Sequence, residues 1–360
     1  MEKHLIWISP TSLENFISCK ARWKFTQDSR FKTLRRISDR AAVGLVVHSA
    51  IEHLYAGKSF DAAWSFAVST IENKMQEEWQ PALIPRPESW AGYQVNKARL
   101  AVRASKGEFG GVSSEHKLEA GSPQRKNSNQ ADFASELANI PFPWVERKLF
   151  DLELGLMGIP DLVRMDGEDL VVVDHKSGLN QSHPTESQRR QLMFYAWLVY
   201  VNYGVFPKRA EVLTTQNAPY AIEVNESAVR KVIDLAIETR RLMESESESD
   251  LKVFEASPSE SNCSWCSFKV VCPAFIDECK QEWNTNRVLV GQVVKSKNIS
   301  YKYTLEIDVE SPGWMSSPMT IVNLSTAHQP RVGERISLSN FRERNGSCAA
   351  NWNTLIYQWD

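Results

Sequence analysis

Two stretches in the middle of the chain decide the fold: Gly158-Ile159-Pro160-Asp161 and Val171-Val172-Val173-Asp174-His175-Lys176, with twelve residues between the two aspartates. The valines predict a buried strand, and Gly167 predicts a hairpin turn before it. Because side chains alternate along a strand, Asp174 and Lys176 share one face and His175 points to the other. A turn centred just after Gly167 would place Asp161 roughly opposite Asp174. The sequence therefore predicts two carboxylates beside a lysine.

This arrangement is typical of a site for a hard divalent cation. Two carboxylates at close range repel one another unless a cation neutralises them, and hard divalent cations prefer oxygen ligands. Such a cation orients water and phosphate, while Lys176 would stabilise charge on the attacked phosphate or position the attacking water. Asp174 and Lys176 end a run, Leu170–Val173, that should be buried, which favours catalysis over a solvated strand end.

Two further residues are candidates for the same site. Glu146 lies on the preceding strand, and it either binds metal or braces the site, or forms a surface pair with Lys148 or Arg147. His48 lies on a predicted helix with Glu52 one turn later on the same face. A lone helical histidine is more often a structural group than a ligand, so the residue pattern alone does not assign His48 to the metal.

Gln191 and Tyr195 lie one turn apart on a predicted helix, 188–203, that is apolar nearly all round and therefore buried. Buried amide and hydroxyl groups must find hydrogen-bond partners. Contacts to Lys176 or to a phosphate would satisfy them, and so would bonds to the backbone.

The six cysteines are too few for a disulfide framework in a chain of this length, and four of them suggest a metal or cluster site. Three have the spacing Cys263-x2-Cys266-x5-Cys272, and Cys19 would supply a fourth ligand if the ends of this region meet. Zinc is the common alternative, but zinc sites more often use two close cysteine pairs, so an iron–sulfur cluster is favoured. Cys279 and Cys348 are predicted to be packing residues.

Composition excludes several classes of protein. The 360 residues are enough for two domains, and 42% hydrophobic with 24% charged residues is typical of a folded soluble protein. With a formal net charge of -2, any nucleic-acid partner must be bound by a local basic surface. The longest apolar stretch, Leu192–Val201, is about half of a membrane span, and the N-terminus lacks a signal-peptide pattern. We expect no membrane contact and a cytoplasmic location.

The order of predicted elements indicates an α/β region followed by a small all-β region. Helices are predicted from near Thr11 to Cys19 and at 40–56, 60–79, 188–203 and 228–243, and strands at 145–149, 153–163, 170–174 and 209–214. A loop at 105–140 and a Ser/Glu-rich link at 245–250 interrupt them. From residue 288 onwards five short strands without a helix predict a small β-barrel such as an OB-fold. We therefore predict domains at 1–285 and 286–360.

The segment 14–36 carries seven basic and two acidic side chains, with aromatic residues between them. It is either a solvated face or an entrance for nucleic acid in which bases stack on Trp23 or Phe25.

Taken together, these residues resemble the RecB-like branch of the PD-(D/E)XK nuclease superfamily, and within it the iron–sulfur group that includes AddB-type nuclease domains and CRISPR-associated RecB-like exonucleases. The resemblance covers most of residues 1–285. It rests on motifs that occur in the family's order: Gly44-Leu45-Val46-Val47-His48, Pro160-Asp161, Asp174-His175-Lys176, Gln191-Leu192-Met193-Phe194-Tyr195, and Cys19 with Cys263, Cys266 and Cys272.

The resemblance implies a restriction-endonuclease-like α/β core with a helical N-terminal region and an Fe–S staple. The implied ligands of Mg²⁺ or Mn²⁺ are His48, Asp161 and Asp174. Lys176 is implied as the catalytic lysine, with Gln191 and Tyr195 supporting the active site and the DNA. The implied ligands of a [4Fe-4S] cluster, with a structural, DNA-adjacent role, are Cys19, Cys263, Cys266 and Cys272.

The expected activity is that of a deoxyribonuclease that acts as an exonuclease on single strands or duplex ends, in repair, recombination or antiphage defence. Gly57-Lys58-Ser59 resembles the end of a phosphate-binding loop, but Glu52 stands where its leading glycine would be. A helicase or ATPase would therefore be a separate chain. The rival hypothesis is a DNA-binding or scaffold subunit that keeps the fold without turnover, against which the intact Asp161, Asp174 and Lys176 argue.

Overall fold

The protein is described by a computed structural model that covers residues 6–35, 37–78, 84–109, 142–176, 183–214, 219–246, 255–283, 288–299, 302–325, 330–344 and 346–359. The loop predicted at 105–140 and the link predicted at 245–250 lie mostly outside these ranges. None of the described helices is long and apolar enough to cross a lipid bilayer.

The helices of the described ranges are α1 (Pro10–Ser18), α2 (Lys20–Gln27), α3 (Asp39–Tyr55), α4 (Phe60–Glu78), α5 (Tyr93–Ser105), α6 (Glu186–Tyr203), α7 (Glu226–Glu246), α8 (Glu260–Cys263) and α9 (Pro273–Glu278). The strands are β1 (Trp144–Val145), β2 (Leu149–Asp151), β3 (Leu156–Gly158), β4 (Leu162–Asp166), β5 (Asp169–Lys176), β6 (Arg209–Thr214), β7 (Tyr220–Glu223), β8 (Val288–Ile299), β9 (Lys302–Ser311), β10 (Met319–Ser325), β11 (Arg335–Ser339), β12 (Arg342–Arg344), β13 (Ser347–Ala349) and β14 (Leu355–Gln358). The predicted helices near Thr11 and at 40–56, 60–79, 188–203 and 228–243 correspond to α1, α3, α4, α6 and α7.

The chain forms two units that interleave along the sequence. Unit 1 comprises Met1–Glu14, Asp39–Glu72 and Pro87–Glu248, and unit 2 comprises Asn15–Ser38, Asn73–Arg86 and Ser249–Asp360. This differs from a division between residues 285 and 286, because Phe25 and Phe31 share one apolar core with Val288 and Leu355. The boundary at 285/286 stays a prediction.

Unit 1 contains a five-stranded sheet in the order β1-β4-β5-β6-β7. The predicted hairpin is confirmed: β4 and β5 are antiparallel, Leu162 lies opposite Val173, and Gly167 has the positive φ of 63° that the turn requires. Strand β5 runs parallel to β6, and such a pair needs a crossover connection, which α6 supplies. The crossover brings α6 against the strand that ends in Lys176.

Helix α6 is fixed at both ends and along its buried face. Thr185 caps its N-terminus by accepting a hydrogen bond from the backbone N–H of Gln188, and the chain leaves it through Gly204 at φ 85°. A Cβ on Gly158 of β3 would lie 2.9 Å from the Tyr195 ring and from Leu198. Only glycine allows this close approach, which sets the position of Tyr195.

Two predicted strands of unit 1 are wrong in extent. The strand predicted at 145–149 is interrupted between β1 and β2, where Glu146 adopts φ 47°. The strand predicted at 153–163 is likewise divided, because a turn through Gly155 at φ 65° precedes β3 and Pro160, which has no N–H to donate, separates β3 from β4. Both interruptions flank residues of the candidate site.

Unit 2 contains a seven-stranded sheet in the order β12-β13-β10-β9-β8-β11-β14. Its pairings are antiparallel except for β10 with β13. The five strands predicted in this region correspond to β8, β9, β10, β11 and β14, and β12 and β13 are additional short strands. Cys348 is buried in the core of this sheet and Cys279 in the core beneath the cysteine loop, as expected for packing residues.

The aromatic residues that follow Cys19 do not form an exposed stacking surface. Trp23 is 3% exposed and Phe25 is 7% exposed, and the Phe25 ring contacts Phe31 and stacks on Phe268. The prediction that nucleic-acid bases stack on Trp23 or Phe25 is therefore wrong, because both rings are buried, Trp23 against Phe16 and Phe25 in the core of unit 2. What stays exposed in this segment is charge, at Arg30, Lys32 and Arg35.

Candidate functional site

Three side chains of unit 1 meet at one point with the spacing of metal ligands. His48 Nδ1 lies 3.4 Å from Asp161 Oδ1 and 3.5 Å from Glu146 Oε1. One ligand atom of each residue lies within 4.8 Å of the other two. A nitrogen and two carboxylate oxygens at this spacing are a donor set suited to a divalent cation such as Mn²⁺ or Mg²⁺.

Different elements contribute these three residues. His48 projects from the middle of α3, Glu146 follows β1, and Asp161 directly precedes β4. The backbone N–H of Glu146 donates to the carbonyl oxygen of Asp161 at 3.1 Å, which ties the two segments together. The left-handed conformation of Glu146 is uncommon for a residue with a side chain, and such conformations cluster at functional sites.

The charges of this group are mutually dependent. Burial opposes the charged form of His48, yet hydrogen bonds with Asp161 and Glu146 raise its pKa to about 10. Burial also opposes ionisation of Asp161, but the hydrogen bond with His48 and further histidine interactions lower its pKa. Burial raises the pKa of Glu146. In the metal-free protein His48 is therefore protonated, and its positive charge balances the carboxylates that a bound cation would otherwise neutralise.

Asp161 is also linked to the following strand. Its Oδ2 accepts the backbone N–H of His175 at 2.5 Å, so the carboxylate is held against the end of β5. The His175 imidazole is 3% exposed, and its Nδ1 lies 3.8 Å from Asp161 Oδ2. Burial lowers its pKa to about 3, so this imidazole is neutral.

A second cluster joins Asp174, Lys176 and α6. Lys176 Nζ lies 2.8 Å from Asp174 Oδ2 and donates to Gln191 Oε1 at 3.4 Å, and Gln191 Nε2 donates to the Tyr195 hydroxyl at 3.1 Å. Gln191 thus contacts Lys176, one of the two alternatives for these residues, whereas Tyr195 contacts Gln191. Burial raises the pKa of Asp174 to about 6 and also raises that of Tyr195.

The predicted residues thus fall into two adjacent groups. Asp161 and His48 come together as expected, and Glu146 joins them instead of pairing on the surface with Lys148 or Arg147. Asp174 is not one of the three residues whose ligand atoms share the 4.8 Å group; it pairs with Lys176. The two groups remain connected because Asp161 binds the backbone of His175, the residue after Asp174.

Unit 2 carries the cysteine site. A small cavity is lined by all four cysteines expected to act together: Cys19, Cys263, Cys266 and Cys272. Cys19 lies between α1 and α2, and the others follow one another from α8 to the start of α9. The amide of Asn262 donates to the carbonyl oxygen of Ser18 at 2.9 Å, which joins these distant segments next to the cavity.

The chemistry of this cavity suits a group that binds thiolates. Burial raises the pKa of Cys263, and it raises that of Cys272 to about 12, so both thiols are protonated in the absence of a bound metal. Metal binding deprotonates such ligands. Among the described cysteines, no three Sγ atoms lie within 4.8 Å of one another.

Three residues were not predicted from the sequence to lie at the cysteine cavity or in its loop. Lys269 is 3% exposed and lines the cysteine cavity, as does Arg22. Burial lowers the pKa of Lys269 to about 8. Trp265, between Cys263 and Cys266, is 74% exposed. The position of Trp265 inside the Cys-x2-Cys loop could have singled it out from the sequence. Nothing in the sequence pattern indicates that Lys269 is buried.

The sequence profile described as the PD-(D/E)XK nuclease superfamily matches residues 7–273, more than half of the chain. The protein belongs to the PD-(D/E)XK nuclease superfamily, which confirms the superfamily that the motifs resemble. Sixteen chains of solved structures match. One, "Crystal structure of SSO0001", has 14% identity and a TM-score of 0.27, with 73% of this chain and 95% of that chain covered. No curated protein matches.

Proposed function

We propose that this protein is a metal-dependent nuclease that hydrolyses phosphodiester bonds of DNA. The observation that carries the proposal is the convergence of His48, Glu146 and Asp161 beside the Asp174–Lys176 pair, in a chain of the PD-(D/E)XK nuclease superfamily. The two groups together contain the metal ligands and the positive charge that this hydrolysis requires.

The residues have separate roles in this proposal. His48, Asp161 and Asp174 hold Mg²⁺ or Mn²⁺, and Glu146 is an additional ligand. When bound, the cation supplies a polarised phosphate and an activated water. Asp174 must release Lys176 to take part, which frees the ammonium group to stabilise charge on the attacked phosphate.

Gln191 and Tyr195 are positioning residues in the same scheme. The Gln191 amide accepts a hydrogen bond from Lys176 and donates one to the Tyr195 hydroxyl. Because α6 is buried and capped, this chain of hydrogen bonds holds the lysine in place when its ion pair with Asp174 opens.

The test is cleavage of labelled single-stranded and duplex DNA by the purified full chain with Mn²⁺ or Mg²⁺. Lys176→Ala should lower the rate about 10²-fold or more, the magnitude typical for removal of a transition-state charge partner. Lys208→Ala is the matched control, since Lys208 is a 72% exposed surface lysine of the same unit that pairs with Asp169. Cleavage that survives Lys176→Ala contradicts the assignment of the site.

The rival function is a DNA-binding or scaffold subunit without turnover. It predicts DNA binding with no cleavage by the wild type under any divalent metal. The arrangement of Asp161, Asp174 and Lys176 favours catalysis, because burying two carboxylates in one place costs free energy that a scaffold has no reason to retain.

We propose further that the chain is RecB-like and that its four cysteines hold a [4Fe-4S] cluster. Zinc sites more often use two close cysteine pairs, whereas here three cysteines follow one another and the fourth, Cys19, lies far upstream in the sequence. This arrangement favours a cluster, in which each thiolate binds a different iron. Iron and sulfide analysis of an anaerobic preparation tests this, and a colourless protein with stoichiometric zinc contradicts it.

The substrate and partners are proposed on less direct grounds. An exonuclease that acts on single strands or duplex ends, in repair, recombination or antiphage defence, would need a separate helicase or ATPase to supply opened DNA. The C-terminal region, 286–360, is proposed as an OB-like domain that binds single strands or a partner protein through half-buried aromatic residues: Trp314, Phe341, Trp352 and Trp359. Digestion of blunt duplex against tailed duplex by the full chain, wild type and Trp352→Ala, tests these roles.

A further inference from the structure

Among the described residues, two cations of unit 2, the buried Lys269 and the half-buried Arg22, have no carboxylate partner. Lys269 Nζ donates only to the carbonyl oxygens of Ser264, at 3.3 Å, and Cys263, at 3.5 Å. Arg22 Nη2 donates to the carbonyl oxygen of Asn262, and the buried Arg22 Nε has no hydrogen-bond partner. In the part of the chain that the structure describes, neither cation forms an ion pair. The buried Asp174 of unit 1, in contrast, is paired with Lys176.

Both cations line the cavity that holds the four cysteines. Electrostatic effects connect them directly, because Arg22 acts on Cys263, and Lys269 acts on both Cys263 and Cys266. Burying an unpaired charge is unfavourable, so an arrangement of this kind indicates that an anion belongs in the cavity. No carboxylate stands among the described residues that line the cavity, so none supplies that negative charge.

The proposed cluster does supply it. Four thiolates around an oxidised [4Fe-4S] core form a net dianion, and the two cations of the cavity match this charge. We propose that Lys269 and Arg22 are the counter-charges of the cluster and raise its reduction potential. This inference rests on the proposed cluster. Buried positive charge favours the reduced form, which carries one more electron, and net charge and hydrogen bonding are among the factors that set such potentials.

A structural role of Lys269 must be separated from its proposed role as a counter-charge. Its bonds to the carbonyl oxygens of Cys263 and Ser264 also hold the loop that carries Cys266. A purely structural lysine affects how much cluster is loaded, whereas a counter-charge changes the potential of each cluster that is present. Arg22 offers an independent measurement, because it lies on α2, outside that loop.

The experiment compares the full-length wild type with Lys269→Met, Lys269→Arg and Arg22→Gln after anaerobic purification. Iron and sulfide per chain measure loading, and a redox titration followed by visible absorption and electron paramagnetic resonance measures the potential. Lys280→Met is the matched control, since Lys280 is an exposed lysine beside the same region. Lys269→Met and Arg22→Gln should each shift the potential to more negative values, while Lys269→Arg and Lys280→Met should keep the wild-type potential.

The outcomes distinguish the two levels of the proposal. A wild type that contains zinc or no iron refutes the cluster, and the counter-charge role with it. A loaded wild type whose potential equals that of Arg22→Gln and of Lys269→Met refutes the counter-charge role alone. If Lys269→Met fails to load, the decision falls to Arg22→Gln: an unchanged potential overturns the proposal, and a negative shift supports it.

Discussion

The carboxylate site of unit 1 and the cysteine cavity of unit 2 differ in how their charges are balanced. In the first, each buried charge already has a partner of opposite sign: His48 lies against Asp161 and Glu146, and Lys176 against Asp174. In the second, Lys269 and Arg22 line a cavity whose described lining includes no carboxylate, and the thiols of Cys263 and Cys272 are protonated. A bound group must therefore displace existing interactions in unit 1, whereas in unit 2 it completes an unbalanced set.

This difference in charge balance predicts that the stability of the two sites depends to different degrees on the bound metal or cluster. A site whose charges are balanced without metal keeps its structure when metal is removed, and it exchanges metal readily. A cavity with unbalanced buried charge gains much of its stability when its ligand binds. The following predictions test that contrast.

The largest effect should come from a cysteine ligand. Cys272→Ser should abolish cluster loading and lower the stability of unit 2 by an amount on the order of several kcal/mol, because ligand binding and folding are coupled in such sites. Iron content and thermal unfolding measure the two effects. Cys348→Ser, which alters a buried cysteine outside the cavity, should retain full iron content; equal iron loss in both variants would contradict the ligand assignment.

Asp161→Asn should change the stability of the protein less than Cys272→Ser does, but it should strongly reduce catalysis. The variant keeps the size of the side chain and removes the charge that balances His48, so metal binding and cleavage should fall about 10²-fold or more. Unfolding of the metal-free variant should differ from wild type far less than that of Cys272→Ser. Calorimetric Mn²⁺ titration and single-turnover cleavage are the measurements, and wild-type Mn²⁺ affinity in the variant would show that Asp161 is no ligand.

Metal affinity should rise with pH because of His48. Its pKa of about 10 lies above the ordinary value of 6.5, so in the metal-free protein the stabilisation from its charge is present below pH 6.5 and is lost as pH rises through 10. Metal must displace this proton, so Mn²⁺ affinity should increase up to about tenfold per pH unit between pH 7 and 9. Titrations in two buffers of different ionisation enthalpy measure proton release, which His48→Asn should eliminate; pH-independent affinity would contradict this.

The smallest effect is expected for Glu146→Gln. If Glu146 is an additional ligand, the variant should bind Mn²⁺ about tenfold more weakly, within the range seen when supporting groups of a metal site are changed. The same change should lower the pKa of His48, since Glu146 is the second carboxylate that raises it. Imidazole resonances followed by NMR give that pKa, and Glu153→Gln, on a neighbouring exposed turn, is the control.

The hairpin of unit 1 could be predicted from sequence because its signals are local. Alternation in β5 and the turn at Gly167 together fix which residues face one another, and the structure has the expected register. The interruption around Glu146 could not be predicted, since a left-handed backbone at a glutamate is held by long-range bonds such as that to Asp161. Strand periodicity contains no information about such bonds.

In the candidate site, too, only the contacts that arise within a local sequence pattern could be predicted. The Asp161, Asp174 and Lys176 pattern is contained within one hairpin and was visible, whereas the contact between Glu146 and His48 depends on how α3 packs against the sheet. The buried aromatic residues after Cys19 give the opposite case. Trp23 and Phe25 alternate with basic residues in a way that resembles a nucleic-acid surface, but both rings are buried in the folded protein.

The bond between Asn262 and Ser18 has a consequence for the order of assembly. It spans 244 positions of sequence, and the cysteine cavity beside it needs residues from both ends of that interval. During synthesis Cys19 emerges early and must wait, reduced and unliganded, while the whole of the five-stranded sheet is made. Contacts this far apart in sequence form slowly because of the entropy of closing the intervening loop. Loading of the cavity is therefore a late event, and it reports that the entire intervening chain has been synthesised.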